Sequence, residues 1–172
     1  QPRVASLQRS ESRAEMMRKT LLVCAAIFVA TCLWAAQESK PNFSGKWELD
    51  VAKSEFGALP GPSSRTDVID HQEPKVKITV TVKGPQGERT FERNYTTDGK
   101  ENTNTQFNME VKSKTHWEGK ILVTELKLEI QGNPLDIKEQ WELSEDGKVL
   151  VIKRDLKSSQ GDTSQKLVFS KQ

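Results

Sequence analysis

Cysteine is almost missing from this chain: the only two, Cys24 and Cys32, both lie inside one short apolar run. A mature chain cut behind that run would hold no disulfide and no thiolate metal site. Histidine is nearly as scarce. Strand registers predict His116 facing outward and His71 facing inward beside Asp67, a poor donor set for a metal. No metal or cofactor is expected. Gly-x-Ser-x-Gly, a phosphate-cradling glycine loop and His-Glu-x-x-His are all lacking, so no enzyme is expected. Charge of one sign is lacking as well: 26 Lys and Arg face 24 Asp and Glu. With no basic block, nucleic acid is not an expected partner. After Ala36 no apolar stretch approaches membrane length, and no stretch keeps a helical period.

What is present begins with Thr20 to Ala35, the one strongly apolar run. Arg18 and Lys19 precede it and Ala35-Ala36 ends it, the layout of a secretory signal. The expected organisation is an upstream extension over 1–15, a signal over 16–36 and one domain over 37–172. A retained membrane anchor is the alternative, disfavoured because a spanning helix needs about 20 apolar residues. Val29-Ala30-Thr31-Cys32 faintly resembles a lipidation box, which would place a lipid on Cys32. The expected location is periplasmic or secreted, with a lipid anchor to the envelope through Cys32 as the alternative.

The rest of the chain alternates. In Lys75 to Lys83, the residues Val76, Ile78, Val80 and Val82 share one face, with lysines and threonines on the other. This period of two marks half-buried strands. Turn signals recur at Gly84-Pro85-Gln86-Gly87, Asp98-Gly99, Glu118-Gly119, Gly132-Asn133, Asp146-Gly147 and Gln160-Gly161. They predict about nine strands, starting near Phe43, Thr66, Lys75, Glu88, Phe107, Lys120, Leu135, Val149 and Thr163, with a turn near Ala52 to Phe56 as almost the only helix. Written out, the hairpins pair Thr115 with Leu122, Leu128 with Ile137, Trp141 with Ile152, and Ile152 with Phe169. All agree on which face is buried. A three-residue bulge at Asp146 would instead turn Val149 and Val151 inward. Short connections throughout predict an all-β, up-and-down antiparallel barrel of about eight to ten strands, closure being what removes the two edges. A two-sheet sandwich is the alternative.

Phe43-Ser44-Gly45-Lys46-Trp47-Glu48-Leu49 resembles the first strand of the lipocalin and fatty-acid-binding-protein superfamily, the calycins. The resemblance implies a meander barrel that binds small apolar molecules in its mouth. Gly45 and Trp47 match the family's Gly-x-Trp element at one barrel end, with Trp141 expected to pack there too. It also implies an arginine over the tryptophan, for which Arg154 is the candidate. Val51 to Pro62 is too short for the family's two-helix lid, and Thr163 to Phe169 lacks the Arg-x-Tyr pair that holds a carboxylate on the last strand. The chain thus resembles a bacterial lipocalin-like protein outside those branches.

The polar residues predicted to turn inward are the candidate site. Glu139 and Arg154 fall opposite each other on the apolar face. They form either a structural ion pair or, through Arg154, a receptor for an anionic group. Arg93 and Tyr95 fall opposite Ile78 and Val76, so Arg93 either anchors a carboxylate beside the Tyr95 hydroxyl or lies over the rim with its head in water. The expected function is an exported, monomeric, non-catalytic binder of a small apolar or amphipathic ligand. Arg93, Tyr95 and Arg154 are its polar anchors among Val76, Ile78, Phe91 and Met109. The rival is a barrel with a filled core, acting as an interaction module or protease inhibitor in the cell envelope. Asn42-Phe43-Ser44 and Asn94-Tyr95-Thr96 match glycosylation acceptors, relevant only in a eukaryotic host.

Overall fold

A computed structural model describes residues 39–85 and 87–172. The predicted extension and signal, with Cys24, Cys32 and Trp34, lie outside the described residues. The strands are β1 (Gly45–Leu49), β2 (Ser64–Gln72), β3 (Lys75–Gly84), β4 (Gly87–Thr96), β5 (Glu101–Gln106), β6 (Met109–Glu118), β7 (Ile121–Ile130), β8 (Asn133–Leu143), β9 (Val149–Ser158) and β10 (Gly161–Lys171). A single 3-10 turn, η1 (Val51–Lys53), follows β1, with the Asp50 carboxylate accepting from the Lys53 N–H as its cap. All ten strands form one antiparallel sheet in the order β4-β3-β2-β1-β10-β9-β8-β7-β6-β5. Consecutive strands pair, except β4 with β5, and β1 returns to β10 to curl the meander into a nearly closed barrel. The sandwich alternative is thereby excluded.

The remaining edges, β4 and β5, meet at a seam closed by side chains. Asn94 N–H donates to Asn104 Oδ1 at 2.7 Å, and Asn104 Nδ2 donates back to Asn94 O at 3.0 Å. One buried carboxamide thus stands in for a strand partner and satisfies backbone groups an open edge would leave free. Asn102 Nδ2 reaches Thr96 Oγ1 at 2.9 Å one step along. This explains the tenth strand. β5 reads Glu-Asn-Thr-Asn-Thr-Gln, without one apolar residue, so alternation of hydropathy could not reveal it.

Registers at Pro85-Gln86 and Asp146-Gly147 are as predicted: Ile78 faces Arg93, Trp141 faces Ile152 and Glu139 faces Arg154. Leu150 points inward, so the bulge alternative fails. Three hairpins are each displaced by two residues. Leu122 faces Trp117 in place of Thr115, Leu128 faces Leu135 in place of Ile137, and Ile152 faces Leu167 in place of Phe169. In each the two-residue loop sits one residue from the expected place. Gln131 and Gly132 take φ of 51° and 79°, the twist a tight hairpin demands. Moving a loop by one residue shifts pairing by two, which keeps every side chain on its predicted face.

Because the chain runs up and down, its connections alternate between two ends. The β2–β3, β4–β5, β6–β7 and β8–β9 turns lie at one end, and the β1–β2, β3–β4, β5–β6, β7–β8 and β9–β10 connections at the other. The first end is shut by aromatic packing. Phe43 stacks on His71 and Trp117 and meets Trp141 edge-on, with centroids 5.7 to 5.9 Å apart. Trp47 Nε1 donates to Phe43 O at 2.8 Å. Trp47 and Trp141 are fully buried, whereas Trp117 is half-exposed. Glycine at 45 has a local reason. At φ of 143° a Cβ there would stand 2.6 Å from Lys171 Cε, and Lys171 Nζ lies 5.3 Å from the Trp47 ring centre. The cation over Trp47 is therefore Lys171, and the expected Arg154 is engaged elsewhere.

Candidate functional site

Between the shut end and the other end lies a belt of charge inside the barrel. β2 turns Arg65 and Asp67 inward at alternate positions, and they close on each other through two hydrogen bonds, Nε to Oδ1 at 2.8 Å and Nη2 to Oδ2 at 2.7 Å. β8 supplies Glu139, 1% exposed. Its Oε1 lies 2.9 Å from Arg154 Nε and 3.5 Å from Arg93 Nη1, and its Oε2 accepts from Trp141 Nε1 at 3.1 Å. The Arg154 Nε–H is not aimed along that short distance, so the contact is an ion pair without a formed hydrogen bond. Arg154 Nη1 instead donates to Gln165 Oε1 at 3.0 Å, and Gln165 Nε2 donates to Phe56 O. Sequence reasoning placed Glu139, Arg154 and Arg93 inward but did not join the three. The join comes from barrel curvature, since Arg93 reaches Glu139 from a strand that does not pair with β8.

Electrostatics follow from this crowding. Burial alone would raise the Glu139 carboxyl, but the guanidiniums of Arg154, Arg93 and Arg65 outweigh it and hold the group below its ordinary value. Burial, with Arg93 and Arg65 as like charges, pulls Arg154 down. Tyr95, on β4 beside Arg93, is fully buried, and burial pushes its hydroxyl up to about 12 against a partial opposing pull from Arg93.

Below the belt the barrel is filled. Val76, Tyr95, Leu122 and Ile152 are each 2% exposed or less, and so, level with the belt, are Ile78 opposite Arg93 and Thr124 opposite Glu139, with its partner Thr115. Thr115 and Thr124 share a hydroxyl hydrogen bond of 3.0 Å. Val76 and Ile78, expected as mouth-lining residues, belong instead to this sealed packing. At the bottom, Glu73 accepts from Thr97 Oγ1, Trp117 Nε1 and His71 Nε2. Burial resists its ionisation, yet these donors keep its carboxyl below the usual value. Phe43 N–H donates to His71 Nδ1 at 3.2 Å, which puts the histidine proton on Nε2, facing Glu73. His71 is thus committed to closing the end. Among the described residues no group of three metal-type side chains is assembled.

Above the belt, burial loosens. Phe56, Phe91, Met109, Leu128 and Leu135 are half-buried, and Phe107 is 46% exposed at the β5–β6 tip. Phe107 packs edge-on against Phe91 at 4.9 Å, with the Arg89 guanidinium 5.3 Å from its ring. Arg93 lies 5.3 Å from the Phe91 ring. A polar floor under an apolar rim is therefore built from the predicted Arg93, Tyr95, Arg154, Phe91 and Met109. Arg65 and Gln165 join it unforeseen. The alternation Arg65-x-Asp67-x-Ile69-x-His71 carried the signal for β2, but a strand that hides its charges and exposes Val68 inverts the usual rule.

Comparison with known proteins identifies the architecture. No protein-family model matches the chain, and no curated protein matches it. Among solved structures, a secretory abundant heat soluble protein from Ramazzottius varieornatus is similar at TM-score 0.60 and 19% identity, over 80% of this chain and 100% of that one. Secretory abundant heat soluble protein 4 of the same organism is similar at 0.54 and 16%, over 80% and 99%. The zebrafish ileal bile acid-binding protein, solved with cholic acid, gives 0.51 and 18%, over 76% and 98%. At these identities the likeness establishes the fold and nothing beyond it.

Proposed function

We propose that this domain is a non-catalytic carrier of a small apolar or amphipathic molecule, seated in the upper half of the barrel. Arg93, Tyr95 and Arg154 are its polar anchors, and Phe91 and Met109 are part of its apolar wall. The observation that carries this reading is the gradient of burial: polar side chains held at mid-barrel, sealed from below and roofed by half-exposed apolar residues. The zebrafish neighbour with cholic acid in the same fold supports it. Export through the Thr20 to Ala35 run is part of the proposal, and N-terminal sequencing of native protein tests it, a start near Gln37 being expected. Native mass spectrometry of protein purified from its own host tests the carrier. A co-purified small molecule is expected. No such molecule, together with a melting temperature unmoved by lipids and hydrophobic dyes, would remove the carrier reading. The sealed lower half favours the second reading, a filled barrel acting through its surface as an interaction module or protease inhibitor, which predicts that negative result.

A further inference from the structure

Counting charge inside the belt narrows what the carrier would take. Arg65 and Asp67 close on each other through two hydrogen bonds. Glu139 is then left as the one buried carboxylate beside two guanidiniums, Arg93 and Arg154, both largely buried. One positive charge is surplus, and a buried charge without a counter-charge is costly. The buried polar atoms without a hydrogen-bond partner point the same way. Among the described residues they are Arg154 Nε, which lies beside Glu139 Oε1 without a formed bond, Gln106 Nε2, and Arg93 Nε and the Tyr95 hydroxyl, which lie within interaction range of each other. The three nitrogens are donors only, and the hydroxyl donates as readily as it accepts. The site lacks acceptors and one negative charge.

We infer that the site takes a compact monoanion, its acid group on Arg93 and Arg154 beside the Tyr95 hydroxyl and its apolar body rising toward Phe91 and Phe107. This rests on the carrier reading. The charge count sets the valence, since a second negative charge would have no partner. The filled lower half sets the size, because Val76, Ile78, Thr115 and Thr124 leave no path for a long chain to descend. The anchors themselves lie on β4 and β9; of the inward positions of β10, which are Gln165, Leu167 and Phe169, Gln165 orients Arg154 by accepting from its Nη1.

Calorimetric titration of the full chain in chloride-free buffer decides it, with naphthoate, naphthamide, phenyl phosphate and hexadecanoate as probes. Naphthoate is expected to bind at least about tenfold more tightly than naphthamide, the effect of one charge-assisted contact. Arg154→Met and Arg93→Met each restore one cation to one carboxylate and are expected to abolish that preference while naphthamide binding persists. Glu139→Gln adds to the surplus and is expected to widen it, with naphthoate raising the melting temperature of that variant most. Equal binding of acid and amide overturns the monoanion and leaves the carrier standing. Tighter binding of phenyl phosphate overturns the charge count, and tighter binding of hexadecanoate overturns the size limit. Failure of all four probes, with no response to hydrophobic dyes, removes the carrier itself.

Discussion

The two halves of this barrel are made from the same strands, yet they solve different problems. The lower half, around Trp47, Trp141, Phe43 and Leu122, buries each of these side chains to 1% exposure or less and pairs the Trp47 Nε1 donor with Phe43 O. The upper half leaves Phe91, Met109, Leu128 and Leu135 half-buried and keeps unpartnered donors at its base. A core built only for stability would fill both ends alike, because close packing contributes dispersion and transfer energy wherever it is achieved. The difference assigns stability to one half and adaptability to the other, with the charge belt as the border.

The most direct way to break that division is to truncate one aromatic from each side. Trp141→Ala removes a fully buried ring and the Nε1 donor to Glu139. It should cost toward the upper part of the usual range of about 3–5 kcal/mol. Phe91→Ala, on a half-buried ring, should cost about 1–2 kcal/mol. Urea unfolding of both variants checks this, and equal costs would mean the upper half is as firmly packed as the lower.

The border itself gives the next contrast. Glu139→Gln strands two guanidiniums and should cost about 3 kcal/mol or more. Arg154→Met leaves Glu139 with Arg93 and should cost distinctly less. A simple two-member pair would make the two changes equal, so chemical denaturation of each variant sharpens or removes the three-membered description. The pH dependence has a definite sign. Glu139 is held below its ordinary value in the folded state. Its contribution is therefore present above the unfolded carboxyl value of about 4.3 and is lost as pH falls through the folded one.

Tyr95 reports on the same border from the alkaline side, and it is the only tyrosine in the chain. Its hydroxyl is pushed up to about 12, first by burial. An unfolded tyrosine titrates near 10, so between about pH 10 and 12 the unfolded chain releases a proton that the folded chain keeps, and stability falls by about 2–3 kcal/mol. The ultraviolet absorbance of tyrosinate follows this residue alone. A midpoint near 10 in the folded protein would place Tyr95 in contact with solvent and open the lower half.

Sequence alternation carried most of this architecture, and the reasons it stopped are physical. Parity survives a loop displaced by one residue, so Leu122, Trp141 and Ile152 were placed on the correct face even where partners such as Thr115 and Trp117 were exchanged. Hydropathy could not reveal β5, because Asn104 is buried to complete backbone hydrogen bonding and not to remove apolar area from water. Inward charges on β8 and β9 were legible because Glu139 and Arg154 interrupt apolar faces. Their convergence with Arg93 was not, since contacts across a barrel depend on curvature and stagger that no local pattern encodes. Nor does alternation distinguish depth along the axis, which is why Val76 and Ile78 were read as mouth residues when they lie in sealed packing.

The smallest effect is expected at the tip of the upper half. Phe107 takes φ of 51° and Asn108 63° in the β5–β6 turn, and a phenylalanine held there costs on the order of 1–2 kcal/mol relative to glycine. Its edge-on contact with Phe91 returns about 0.5–1.5 kcal/mol. The two nearly cancel, so Phe107→Gly should leave stability within about 1 kcal/mol of the parent. Phe107→Ala loses the ring while keeping the unfavourable backbone, so it should be the least stable of the three by about 1 kcal/mol. Thermal unfolding of the pair therefore reads strain separately from packing. An alanine variant as stable as the glycine variant would show the turn unstrained. A glycine variant well below the parent would show Phe107 to be a firm part of the roof, and the upper half would then be closed more tightly than its exposure implies.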